Sequence, residues 1–435
     1  MTEPHAATEA GAPTEPQAAA TQEAIQGSTH VRARYRDVFA DPIFRVLFLS
    51  RSLSIGAGTL RILALSVLVY DATGSALLTA ITFGIGFVPQ VIGGTFFGAL
   101  ADRLAPRRLI VGGYLIECAV AAALALGQLP VGVSLALVAV VATLSPVFNG
   151  ASNRLVAESL TGDAYVLGRS LSNVASAGAQ LLGLAAGGVA VSQLGPARAL
   201  LVTAGCQLLA ATWVRFGLPR LPPVHSGDES AVRQSWRVTG QLLRDRDVRA
   251  LLLVQWLPPS FVTGAEALVV PYAVERGYPA GSAGLLLASV PVGMLAGNLA
   301  VGRLLRPATR ERLVAPILVL FGVPLMALAV PLPLTVATGL LFVAGVGFSY
   351  ALGVQRPFLE SLGPAVRGQG FAVLTTGLMT LQGVGPLLTG LVAQYVSISA
   401  SMLVAGTATV MVGIVWWHTR VRHVRLLSPS APPLG

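Results

Sequence analysis

Two apolar runs, residues 76–101 and 109–129, are separated by a short stretch carrying Asp102, Arg103, Arg107 and Arg108. The first run has no charged residue and the second only Glu117. A helix that crosses a bilayer needs about 20 apolar residues, so each run is long enough to span. The connection between them is short and basic, as expected of a tight cytoplasmic turn. Composition extends the constraint to the whole chain. Of 435 residues, 54% are hydrophobic and 11% are charged, with a mean hydropathy of +0.72. Globular domains carry about 25% charged residues, so the bilayer must be the solvent for most of this chain. Aqueous enzyme folds are excluded.

The net charge of +10 and pI near 10.5 would fit a nucleic-acid partner, but the distribution of charge argues against one. There is no lysine; all 29 basic residues are arginines, gathered in alternate loops between apolar runs. That is the positive-inside pattern of a multi-pass membrane protein. Cys118 and Cys206 both lie within apolar runs, so neither a disulfide nor a metal site is expected. Residues 1–36, rich in Ala, Thr, Pro and Glu, read as a disordered cytoplasmic tail and not as a signal peptide.

Twelve spans are predicted: roughly 44–70, 76–101, 108–128, 131–151, 168–192 and 197–216, then 249–273, 282–304, 313–330, 333–353, 369–394 and 399–418. The expected units are a six-helix bundle over 37–216, a polar linker over 217–248, a second six-helix bundle over 249–418 and a tail over 419–435. With both termini in the cytoplasm, the external loops hold only Arg198 and Arg276. The two halves are related. An offset of 202 lays Arg154, Glu158, Ser159, Leu160, Gly168, Gln180, Gly183 and Gly188 on Arg356, Glu360, Ser361, Leu362, Gly370, Gln382, Gly385 and Gly390. Shared membrane-helix composition explains matched glycines but not matched Arg, Glu and Gln. Duplicated halves place a substrate site at their interface, near the membrane midplane.

Six plus six spans, a basic central linker and the turn built from Gly98, Leu100, Ala101, Asp102, Arg103, Arg107 and Arg108 resemble the major facilitator superfamily. Ala105 and Pro106 depart from its turn motif, and the equivalent turn near Gly302, Arg303 and Arg306 lacks the acid. Phe44–Leu49 and the stretch from Leu65 through Tyr70, Asp71 and Gly74 to Ser75 look like the bacterial branch of macrolide-efflux and enterobactin-export proteins. The resemblance implies an all-α fold of two pseudo-symmetric bundles. It also implies a conformational latch at Gly98, Asp102, Arg103 and Arg107, with Arg154 and Glu158 completing the charge network and the start of span eleven, near 368–372, as docking partner. The physical basis is a carboxylate set against the N–H groups of a helix terminus; the plainer reading is that the arginines only anchor topology.

Charges within spans are costly and usually functional; here they are Arg51, Arg61, Glu117 and Glu266. At about 1.5 Å per residue, Arg61 and Glu266 lie at matching depths of about 24 and 25 Å in spans one and seven. One expectation is an Arg61–Glu266 pair that closes the external gate when the protein faces inward and that protonation weakens; the alternatives are that Glu266 is satisfied within its own half or stays hydrated near the headgroups. Glu117, near the centre of span three, needs a partner or a proton, and Arg51 is the expected partner; a proton carrier and a structural pair are both open. Gln90, Asn173, Gln180, Gln255, Trp256 and Gln382 are the expected substrate-cavity residues, although such amides also hold helices together. The stretches Gly183–Gly188 and Gly385–Gly390 resemble fragments of the antiporter motif, and close helix packing explains them equally well.

Without lysine there is no phosphate-binding P-loop, and no His-Glu-x-x-His or Gly-x-Ser-x-Gly occurs. The expected function is alternating-access export of a small amphiphilic compound (drug, antibiotic or siderophore-like), exchanged for protons across a bacterial cytoplasmic membrane by a monomer without cofactor or metal. Uptake by the same fold, and a non-transporting sensor or accessory role, are the alternatives.

Overall fold

The computed structural model describes residues 34–97, 104–160, 162–219, 239–363 and 366–427. The spans, labelled α1–α12, are α1 Pro42–Thr73, α2 Ala76–Phe97, α3 Pro106–Leu126, α4 Val131–Ser159, α5 Gly162–Leu194 and α6 Pro196–Gly217. The second set is α7 Arg246–Glu275, broken at Leu268, then α8 Ser282–Leu304, α9 Val314–Ala327, α10 Leu334–Ser361, α11 Arg367–Tyr395 and α12 Ile398–Leu427. Among the described residues, ten helices meet the length and apolarity needed to cross a membrane, and the bent α7 makes eleven. The twelfth, α9, has 14 residues and follows directly on the short helix Pro307–Arg312.

Local chemistry sets the ends. Asp41 caps α1 by accepting from the Phe44 backbone N–H at 2.6 Å, with Pro42 in the first turn. Gly74, at φ +62°, ends α1 in the left-handed region where a side chain is disfavoured. Asp245 caps α7 in the same way, accepting from Asp247 and Val248 at 2.9 and 3.2 Å. The caps thus relate α1 to α7 by an offset of 204.

Helices α4, α5 and α10 run beyond the expected 131–151, 168–192 and 333–353. Hydropathy marks where the bilayer ends and not where the helix ends. The overhangs of α4 and α10 carry the i,i+4 pairs Arg154–Glu158 at 3.3 Å and Arg356–Glu360 at 2.7 Å, which favour further helix in water.

Packing repeats between halves. In the first, α1 packs on α5 and α6, α3 on α6 and α2 on α4; in the second, α7 packs on α11 and α12, α9 on α12 and α8 on α10. The repeat extends to single residues. A β-carbon on Gly183 would lie 2.4 Å from the Gly56 carbonyl oxygen, and one on Gly385 would lie 2.1 Å from that of Ser260. Only glycine allows α5 and α11 this close to α1 and α7.

The halves meet mainly through α2 with α11 and α5 with α8. These contacts lie toward the end of the bundle opposite the termini. Gly188 of α5 abuts Gly281 and Gly284, Gly84 of α2 abuts Pro386, and Ser75 donates to Gln394 Oε1 at 2.9 Å. Leu63, Ala76 and Ala80 of the first half are buried in the apolar core of the second. Toward the termini, cavities form within each half. One face of α5 there exposes Arg169, Asn173 and Gln180, at spacings that share a helix face. The other exposes Val174, Leu182 and Val189, at 67, 70 and 64%. The apolar face suits lipid; the polar face requires water. The halves are joined at the far end, and toward the other end the polar face of α5 is exposed.

Candidate functional site

A polar cluster interrupts the first bundle where α1, α3 and α6 meet. Gln207 of α6, fully buried, donates from its amide to the Glu117 carboxylate of α3 and, at 3.4 Å, to the Ser54 carbonyl of α1. Ser54 also adjoins the carboxylate through its side chain, and Arg61 of α1 lies within electrostatic range. Two guanidinium nitrogens of Arg61, Nε and Nη1, are buried without a hydrogen-bond partner, as is Gln207 Oε1. The cluster therefore holds one acid, one base and unspent hydrogen-bonding capacity in a low-dielectric setting. Such a set can take up a proton at Glu117 and release it by a small rearrangement.

This arrangement corrects two expectations. Arg61 forms no ion pair with Glu266; its carboxylate neighbour is Glu117, because its face of α1 turns into its own bundle. Arg51 does not partner Glu117 either, since it reaches α4 and donates to Asn153 Oδ1 at 2.9 Å. Glu266 sits two residues before the break in α7, half-buried, with no side-chain hydrogen bond or ion pair among the described residues. The far end is closed by glycine contacts and apolar packing and not by a salt bridge at this pair. Gln207 was missed by sequence reasoning; its one signal, a lone amide inside an apolar span, is also that of ordinary helix glue.

Of the latch residues, Gly98, Asp102 and Arg103 lie outside the described residues. Arg107 donates to the Arg215 backbone carbonyl near the C-terminus of α6, and Arg154 pairs with Glu158 on its own helix.

The expected cavity residues divide. Gln90 donates to Gly86 O at 2.7 Å and Gln255 to Leu251 O at 2.9 Å, each within its own helix. Gln382 reaches Thr263 Oγ1 at 3.3 Å, and Trp256 donates to Leu374 O at 2.8 Å across the α7–α11 contact. Gln180, the symmetry mate of Gln382, is instead exposed on the polar face of α5 with Asn173. Two cavities lie toward the termini. One of about 110 Å³, between α1, α4 and α5, is lined by Arg51, Asn153, Arg169, Asn173 and serines over an apolar floor. The other, about 690 Å³ in the second half, is lined by Gln255, Gln355, Leu352, Leu359, Phe371 and Leu374 with Arg310, Glu311 and Arg356.

The sequence profile of the Major Facilitator Superfamily matches residues 46–365. Over 414 residues the chain is 25% identical to the multidrug efflux pump Tap of Mycolicibacterium fortuitum, an alignment covering 89% of this chain and 98% of that one. Among solved structures, the nucleoside transporter NupG superposes with a TM-score of 0.69 at 13% identity, covering 86% of this chain and 98% of its own. A bacterial homolog of the human lysosomal transporter Spinster, inward-facing and unoccupied, gives 0.64 at 13%, covering 86% and 93%.

Proposed function

The chain belongs to the Major Facilitator Superfamily, and from that membership we propose that it exports a small amphiphilic organic compound in exchange for protons. It is a multi-pass membrane transporter and not an enzyme. The observation that carries export is the near end-to-end match, 89% of this chain and 98% of the other, to a multidrug efflux pump. Arginine placement supports both termini in the cytoplasm of a bacterial cell, and a seam at the opposite end supports reading the state as inward-facing. Substrate enters between the bundles, and closure of the latch turn around Asp102 converts the protein to the outward state.

Glu117 is the proton carrier in this reading. Ionised, it is held by the Gln207 amide and balanced by Arg61. A proton arriving from outside removes that balance and leaves the Arg61 guanidinium uncompensated in the bundle, a cost that a rearrangement of α1 against α3 and α6 relieves. Glu266 serves a second, auxiliary protonation site beside the break in α7.

The test is dye or macrolide efflux from energised cells. A protonophore and Glu117→Gln should each reduce efflux to the level of cells lacking the protein, and Asp102→Asn should slow it. Efflux that survives Glu117→Gln but is lost in Glu266→Gln would move the proton to α7. Efflux indifferent to the protonophore would end the antiport reading.

A further inference from the structure

Several arginines of the described residues are engaged by acids or carbonyl oxygens. Arg154 and Arg356 pair with Glu158 and Glu360; Arg107, Arg276 and Arg310 donate to backbone carbonyls; Arg61 adjoins Glu117. Arg51, which donates to Asn153 Oδ1 at 2.9 Å, and Arg169 share the α1–α4–α5 cavity, close enough to act on each other electrostatically, and no acidic residue among those described lines it. Two like charges beside an apolar floor of Phe44, Leu47 and Phe48 attract a counter-anion. Ser52, Ser172 and Ser176 donate to carbonyls of their own helices, so the donors left for a ligand are Arg169, the Arg51 N–H groups not given to Asn153, the Asn153 and Asn173 amides and the Ser152 hydroxyl.

The duplication supplies a control within the molecule. The offsets of 204 for α1 and 202 for α4 and α5 place Arg51 on Gln255, Asn153 on Gln355, Arg169 on Phe371 and Ser172 on Leu374. All four counterparts line the cavity of the second half. Its own arginines are engaged, Arg356 by Glu360 and Arg310 by the Leu305 and Gly302 carbonyls. The fold therefore builds this recess in both halves, and only the first half furnishes it with an unbalanced pair of guanidinium groups.

We propose that Arg51 and Arg169 form a subsite for an anionic group, a carboxylate or phosphate, on an amphiphile entering from the side of the termini. The planar guanidinium matches such groups with paired N–H donors, while the larger, more apolar recess of the second half suits the hydrophobic body. As a statement about substrate, this rests on the export reading; as a statement about binding, it does not.

The experiment measures equilibrium binding to the purified full chain in nanodiscs of neutral phospholipid. The probes are a fluorescent long-chain carboxylic acid, its methyl ester and a soluble alkyl phosphate. Arg51→Gln and Arg169→Phe install the residues of the other half. Each should weaken the acid and the alkyl phosphate by about tenfold or more and leave the ester unchanged. Arg169 is exposed, so its variant keeps the test valid if Arg51→Gln fails to fold. A parallel arm adds phosphatidylglycerol: competition with the acid that is lost in Arg169→Phe would identify a lipid headgroup as an occupant of the same anion site. Acid and ester bound equally, or wild-type affinity in Arg169→Phe, would overturn the proposal. Efflux is not the readout, so a failed antiport test and a failed subsite remain distinguishable.

Discussion

At the scale of residues, the central finding is that Glu117 is held by Gln207 and neighbours Arg61. Three residues from three helices share one polar cluster: removing Gln207 leaves the Glu117 carboxylate without its amide donor, and removing Glu117 leaves the Arg61 charge unbalanced. Gln207→Leu removes the amide donor to Glu117 and should destabilise the first bundle by about 1–3 kcal/mol. A lowered unfolding temperature in detergent checks this; an unchanged or raised one would mean that Gln207 holds no necessary bond. Glu117 was visible in the sequence as a lone charge in an apolar run, and so was Arg61. Their association was not visible, because it depends on which faces of α1 and α3 turn inward, and depth along a helix says nothing of facing. That is why equal depth suggested Glu266 for Arg61.

At the scale of elements, four helices make the seam at the far end. Helices α5 and α8 approach at Gly188, Gly281 and Gly284; α2 and α11 approach at Gly84, Gly390 and Pro386. The glycine-rich stretches that resemble antiporter fragments thus have two different tasks. Gly183 and Gly385 dock α5 and α11 within their own halves, whereas Gly188 and Gly390 form contacts between halves. The seam should part during transport if access alternates. Ser75 and Gln394 face each other across it at 2.9 Å. Ser75→Cys with Gln394→Cys, in a chain lacking Cys118 and Cys206, should cross-link under oxidation and stop transport. Reductant should restore it. Full transport by the cross-linked protein would show that the far end need not open.

At the scale of the whole molecule, the twelve spans among the described residues form two repeats with corresponding internal contacts, joined at the far end. Orientation in the membrane rests on arginine placement. Of the two arginines at the far end, Arg276 is bound to the Ala329 carbonyl and Ser399 and stacks on Tyr272 at 5.2 Å, so it has a structural task besides any effect on topology. Arg198→Cys, at the start of α6, should react with a membrane-impermeant maleimide added outside intact cells. Protection from outside together with labelling from the cytoplasm would reverse the orientation and, with it, the inward-facing reading.

The sequence by itself determined the medium, the fold class and the duplication. Apolar run length and charge placement respond to the bilayer alone, and a repeated pattern of Arg, Glu, Gln and Gly survives in one dimension. It also marked the span charges and the expected latch turn. Only the tertiary structure decided the partners: Arg61 with Glu117, Arg51 with Asn153, and the far-end seam closed by glycine and apolar packing. The physical reason is that hydropathy fixes how far a residue lies along its helix. Rotation about the helix axis is fixed by packing against neighbours distant in sequence, and partnership follows from rotation.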